Sequence, residues 1–130
     1  MDDRFPLDLT LHVLRYAVDP CRDLFSLARR CAAVDQGGFV VEFSGGTWAA
    51  PVDVLGGTGY FQTVSCASPT LCFASTLDGR IFAKSGAAWQ LRADISDTGV
   101  PGLSCVESSP GVPFCLAGDY NNLVYVSVDG

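Results

Sequence analysis

Six cysteines, fourteen acidic side chains, one histidine and two tryptophans are the groups through which this 130-residue chain could do chemistry. The cysteines are Cys21, Cys31, Cys66, Cys72, Cys105 and Cys115. Thiols in pairs bind zinc or close disulfides. Zinc pairs usually stand about two to four residues apart and recruit histidine. These pairs are wider, and the lone His12 is remote from them in sequence. Nothing marks one cysteine as a nucleophile, because no Ser/His/Asp or Cys/His constellation recurs around the pairs. Asp94 and Asp97 suggest the two-carboxylate chemistry of glycoside hydrolysis, but no surrounding sequence gives them a buried setting. The residues therefore point away from an enzyme and imply no cofactor and no metal.

The cysteines fall two to a copy in a repeat. Cys31 to Trp48 and Cys72 to Trp89 each span 17 residues, and the two tryptophans stand 41 apart. The second cysteines of successive copies are separated by 41 and then 43 residues. Each copy also carries a turn signal after its second cysteine: Val34-Asp35-Gln36-Gly37-Gly38, Leu77-Asp78-Gly79 and Asp119-Tyr120-Asn121-Asn122. The boundaries are 1–20 for a lead-in, 21–60 and 61–100 for two complete copies, and 101–130 for a truncated third. By the same register the third tryptophan would fall two positions beyond Gly130, so the third copy is expected to lack its last strand.

Within the second copy the expected strands are Phe61 to Ser65, Leu71 to Ser75, Arg80 to Lys84 and Trp89 to Ala93. Asp78-Gly79 is a hairpin signal because glycine accepts positive φ without steric cost. Four short antiparallel strands in about 42 residues have the length of a propeller blade. One such sheet cannot bury both of its faces, so neighbours must stack on it. The fold class is all-β: a propeller-like stack of about three four-stranded blades, completed by an N-terminal strand and by oligomerisation, with a homodimer closing a ring. Leu7, Leu9, Leu11 and Val13 alternate with Asp8, Thr10 and His12, which reads as that N-terminal strand. A helix aligning Leu7, Leu11 and Leu14 is the alternative.

In each copy the first cysteine ends strand one and the second begins strand two, so a cross-strand hairpin brings them within bonding reach. The expected disulfides are Cys21–Cys31, Cys66–Cys72 and Cys105–Cys115. They imply an oxidising compartment: outside the cell, at its surface or on a virion. The acidic start, Met1-Asp2-Asp3-Arg4, lacks the positive and apolar runs of a secretory signal. A trimmed product, a piece of a longer exported protein and a virion component all remain compatible with both facts.

Composition excludes further classes. The chain is 48% hydrophobic and 17% charged, which rules out a disordered tail. Its net charge of −6 repels a phosphate backbone, so nucleic acid is not an expected partner; Arg22, Arg29 and Arg30 read as a solvated loop. No apolar run reaches the roughly 20 residues of a membrane-spanning helix.

The run Val64-Ser65-Cys66-Ala67-Ser68-Pro69, Leu71-Cys72-Phe73-Ala74, Asp78-Gly79 and Trp89 resembles a repeat found in exported actinobacterial proteins and in outside sensor regions of membrane kinases. The resemblance covers about Tyr16 to Gly130 and implies a propeller, with nothing about ligand. Ser44-Gly45-Gly46-Thr47-Trp48 and Ser127-Val128-Asp129-Gly130 are similar to degenerate Asp-boxes of sialidase-type propellers, a motif that marks the fold and implies no catalysis.

In such a fold one rim gathers the loops that carry Asp35, Tyr60, Asp78, Asp97, Asp119, Tyr120, Asn121 and Asn122. Acids, amides and tyrosines there suit a sugar or a cation, with a glycan or protein as the expected ligand, although Asp, Asn and Gly also occur simply because tight turns require them. Trp48 and Trp89 recur at one position, where packing between blades is the expected role and a stacking platform for a sugar the alternative. The function expected from sequence is a non-enzymatic extracellular binding or assembly module. Alternatives are an accessory fragment of a carbohydrate-active enzyme and a sensor fragment of a membrane protein.

Overall fold

A computed structural model of the chain describes residues 31–44, 47–68, 70–85 and 88–129. The expected N-terminal strand Leu7 to Val13, the Arg22–Arg30 region and the Cys21–Cys31 disulfide lie outside the described residues.

All regular structure among the described residues is strand. The elements are β1 (Cys31–Val34), β2 (Phe39–Ser44), β3 (Thr47–Trp48), β4 (Val52–Asp53), β5 (Phe61–Ser68), β6 (Leu71–Thr76), β7 (Arg80–Ser85), β8 (Trp89–Asp94), β9 (Gly102–Ser109), β10 (Val112–Gly118) and β11 (Val124–Ser127). They form three antiparallel sheets: β1-β2 with β3 and β4, β5-β6-β7-β8, and β9-β10-β11. No described helix is long and apolar enough to cross a membrane.

The middle sheet contains the four strands expected of the second copy, each one to three residues longer than the sequence pattern suggests. Its β6–β7 hairpin turns at Asp78-Gly79, with Gly79 at φ +87°. In the first sheet the outer strand is broken. β3 pairs with the end of β2 and β4 with its beginning. Pro51 lies in the gap; it has no N–H to give to a ladder, so the chain leaves the sheet there and returns.

Alternation then builds the stack. Along β6 and β7, Cys72, Ala74 and Phe82 turn to the first sheet, while Phe73, Ile81 and Ala83 turn to the third. From Cys72 to Thr76 every residue of β6 is buried, because the strand is covered on both faces. Ala32, Val34, Val40, Phe61, Val64, Cys66 and Cys72 fill the first interlayer. Val100, Cys105, Cys115 and Ala117 fill the second with Phe73 and Ile81. β5 and β9 also meet directly, and the Cys105 N–H donates to Ser65 Oγ at 2.9 Å.

Two of the expected disulfides are formed. Cys66 faces Cys72, and Cys105 faces Cys115, as directly opposed residues of neighbouring strands with Cα atoms 3.9 and 4.1 Å apart. Cys66–Cys72 lies near the β5–β6 turn, at the opposite end of β6 from Asp78, whereas Cys105–Cys115 lies midway along β9 and β10. Trp48 and Trp89 pack partly buried against the first core cluster, and the Trp48 ring centroid lies 5.2 Å from that of Phe43.

Candidate functional site

Each sheet of the stack has one hairpin turn held by a side chain placed four residues after the second cysteine of its copy. In the first sheet that residue is Asp35. Its Oδ1 accepts the Gly37 N–H at 2.9 Å and the Phe39 N–H at 3.0 Å. In the third it is Asp119, whose Oδ1 accepts the Asn121 N–H at 2.8 Å and the Leu123 N–H at 3.0 Å. The middle sheet uses Thr76, whose Oγ1 accepts the Arg80 N–H at 2.9 Å. Thr76 also donates to Asp78, which is thus a partner of the turn residue rather than its counterpart. The physical need is the same in all three: a tight turn leaves N–H groups unpaired, and a short side-chain acceptor satisfies them.

These bonds set the electrostatics of the rim. Burial alone would raise the Asp119 carboxyl pKa, but the hydrogen bonds from Leu123, Ser96, Tyr125 and Asn121 outweigh it and hold the group below its ordinary value. The Ser96 and Tyr125 hydroxyls donate to Asp119 Oδ2 at 2.8 and 2.9 Å. The bond to Asp119 holds the Tyr125 phenol above its ordinary value. For Asp78, burial again acts upward, while the Thr76 hydroxyl and the Arg80 guanidinium, 3.0 Å away, bring the net shift below normal.

Of the rim residues named from sequence, Tyr60 lines one hollow and Asp97 and Asn121 line another, while Asp35, Asp78, Asp119, Tyr120 and Asn122 are on the walls of neither. One, of about 260 Å³, is lined by Gln36, Tyr60, Phe61, Gln62, Leu77 and Pro101. Gln62 Nε2 donates to Tyr120 Oη at 3.0 Å, which ties Tyr120 to this cleft. Tyr60 and Tyr120 are both more than half exposed. The other hollow, of about 390 Å³, has Asp94, Ile95, Ser96, Asp97, Asn121, Leu123 and Tyr125 on its walls. Asn122 sits at the turn itself with φ 65°, a left-handed conformation that asparagine tolerates better than most residues.

The two hollows differ in chemistry. The first holds no charged side chain and joins one turn from every sheet: Gln36 from the first, Leu77 from the second and Tyr120 from the third. The second is acidic through Asp94 and Asp97, and its Ser96 and Tyr125 hydroxyls are engaged by Asp119. Gln36, Gln62, Leu77 and Pro101 were not singled out by sequence. Gln62 is a strand residue two positions after Tyr60, whereas Gln36, Leu77 and Pro101 are brought to it from other parts of the chain. Among the described residues no three His, Cys, Asp or Glu side chains converge as a metal site.

Stacked antiparallel sheets of four, four and three strands with a shared turn-bearing rim define the class: a β-propeller-like protein. Among solved structures, the chain is similar to one described as YCF48 bound to D1 peptide, with a TM-score of 0.58 and 16% identity. The likeness covers 78% of this chain and 34% of that one, so this chain spans about a third of its neighbour. No protein-family model and no curated protein matches the chain.

Proposed function

We propose that the protein is a non-enzymatic binding module acting outside the cell, and that its ligand seat is the uncharged cleft around Tyr60 and Gln62. The observation that carries this reading is the meeting of three turns, one from each sheet, around two exposed tyrosine rings and two carboxamides. Such a lining offers apolar area and orientable hydrogen bonds while containing no nucleophile, acid or base. Carboxamides match the donors and acceptors of a peptide backbone, and the neighbour of similar fold is described with a bound peptide. An uncharged, extended polypeptide segment is therefore the leading ligand. A glycan is the second reading, favoured by the Tyr60 ring, which is 53% exposed and able to stack on a sugar face. The disulfides favour an oxidising location.

The test is a screen of an immobilised peptide library and a glycan array with the oxidised protein, repeated with Tyr60→Ala and Gln36→Ala. Binding to peptides that falls at least about tenfold in Tyr60→Ala, with an unchanged melting temperature, is the expected result; tenfold corresponds to about 1.4 kcal/mol. Binding confined to the glycan array would replace the peptide reading by the second. Ligands indifferent to both substitutions would remove the cleft from consideration. Turnover of a glycoside panel would overturn the non-enzymatic assignment.

A further inference from the structure

The uncharged cleft draws on the same places in successive copies of the repeat. Gln36 stands five residues after Cys31, Leu77 five after Cys72 and Tyr120 five after Cys115. Gln62 stands four residues before Cys66, and Pro101 four before Cys105. Gln36, Leu77, Gln62 and Pro101 line the cleft, and the Gln62 amide holds Tyr120 to it. Tyr60, the exposed ring of the lining, stands six residues before Cys66, and its counterpart six before Cys105 is Gly99. A Cβ on Gly99 would stand 2.9 Å from the Leu77 carbonyl oxygen and 3.0 Å from Tyr120 Cε2. The missing side chain is therefore what lets Tyr120 lie beside the middle turn.

We infer that the residue five positions after the second cysteine is the ligand-selecting position of this repeat, and that Gln36, Leu77 and Tyr120 together set which uncharged peptide the cleft accepts; the inference rests on the function proposed above. The division of labour inside each turn supports it. The residue just before, Asp35, Thr76 or Asp119, holds the backbone N–H groups of the turn. Folding of the turn thus fixes the chemistry of that residue and not of the one that follows. The following side chain changes from copy to copy: a carboxamide, an aliphatic group and a phenol. All three are exposed at the tips of their turns. Equivalent positions with equivalent exposure and different chemistry are what a selecting surface requires.

The three side chains call for different groups on the ligand. The Gln36 carboxamide has both donors and an acceptor and matches a backbone amide. Leu77 gains by being covered with an apolar side chain. The Tyr120 oxygen accepts the Gln62 amide, which leaves its O–H as a donor for a carbonyl oxygen. The accepted segment is accordingly uncharged, seats one apolar side chain on Leu77 and turns a carbonyl to Tyr120. A charged side chain is selected against, because the cleft lining holds no charge to pair with it.

The experiment is a positional scan of immobilised decapeptides with the oxidised protein, repeated with Leu77→Gln, Gln36→Leu and Tyr120→Phe. Asn121→Ser is the control, exposed in the same turn as Tyr120 and one position further along. Exposed substitutions of this kind change stability little; each variant is melted to establish that it is folded, and any one that folds suffices. The expected parent profile demands an apolar residue at one peptide position. Leu77→Gln lowers that demand at least about tenfold, Gln36→Leu adds an apolar preference at a second position, and Tyr120→Phe weakens binding without changing the preferred side chains. Asn121→Ser keeps the parent profile. Peptide binding that is lost in Tyr60→Ala but keeps its profile and strength in all three variants overturns the inference and leaves the cleft as the ligand seat. A profile altered as much by Asn121→Ser also overturns it. A parent that binds no peptide removes the inference together with the peptide reading.

Discussion

Replacing Gly79 by alanine should be among the most damaging single changes to this fold, and Gly111→Ala is the matched control. Both glycines occupy left-handed backbone, at φ +87° and +78°. For either one, a side chain costs roughly 1–2 kcal/mol for conformation alone. Their surroundings differ. A Cβ on Gly111 meets nothing within 4 Å, so the conformational cost is the whole effect. A Cβ on Gly79 would stand 1.9 Å from the Ser96 carbonyl oxygen, 2.6 Å from its carbon and 2.9 Å from the Thr98 oxygen. These are backbone atoms, which no rotamer change can move aside. The β8–β9 connection must shift, and with it the bond from the Ile95 N–H to the Gly79 carbonyl at 2.9 Å. Adding the loss of that bond, at about 1 kcal/mol, and overpacking of about 1–3 kcal/mol gives roughly 3–6 kcal/mol for Gly79→Ala. Urea unfolding followed by the fluorescence of Trp48 and Trp89 measures both variants. A midpoint for Gly79→Ala within experimental error of Gly111→Ala would refute the close approach of the two loops.

Two further outcomes follow from the same bonds. The loops closed by Cys66–Cys72 and Cys105–Cys115 have sequence separations of 6 and 10. Chain-entropy reasoning gives them about 2 and about 3 kcal/mol, so reduction should lower the melting temperature by tens of degrees or unfold the domain, as a thermal scan with and without reductant will show. Stability should also fall at both ends of a pH titration. The carboxyls of Asp78 and Asp119 have lowered pKa values in the fold, so their contribution is present above the unfolded value and is lost as pH falls through the folded one, in the acid range below about 4. Tyr125 has a raised pKa, so its contribution is present below the unfolded value near 10 and is lost as pH rises through the folded one. Asp119→Asn should flatten the acid limb, and Tyr125→Phe the alkaline limb; unchanged limbs would contradict the hydrogen bonds assigned to them.

Much of the architecture is local and was therefore readable in the chain. The four strands of the middle sheet follow from apolar stretches separated by Asp78-Gly79 and by the glycine-containing turn before Trp89. The two described disulfides follow from cysteine pairs that recur in each copy and that a hairpin register opposes; Cys105 and Cys115 nevertheless stand in the middle of β9 and β10 and not, as expected, at the end of one and the start of the other. Tertiary structure decided the rest. Thr76 replaces aspartate in the middle turn, although Asp78 beside it is the residue a turn motif suggests. Gln36, Gln62 and Pro101 meet at the cleft because three sheets stack with their turns at one end, and no spacing in the sequence encodes the distance between separate sheets. The apolar composition of β9–β11 was visible, but alternation gives only which residues share a face. Whether that face is covered depends on what packs against it, and that is a property of the assembled stack.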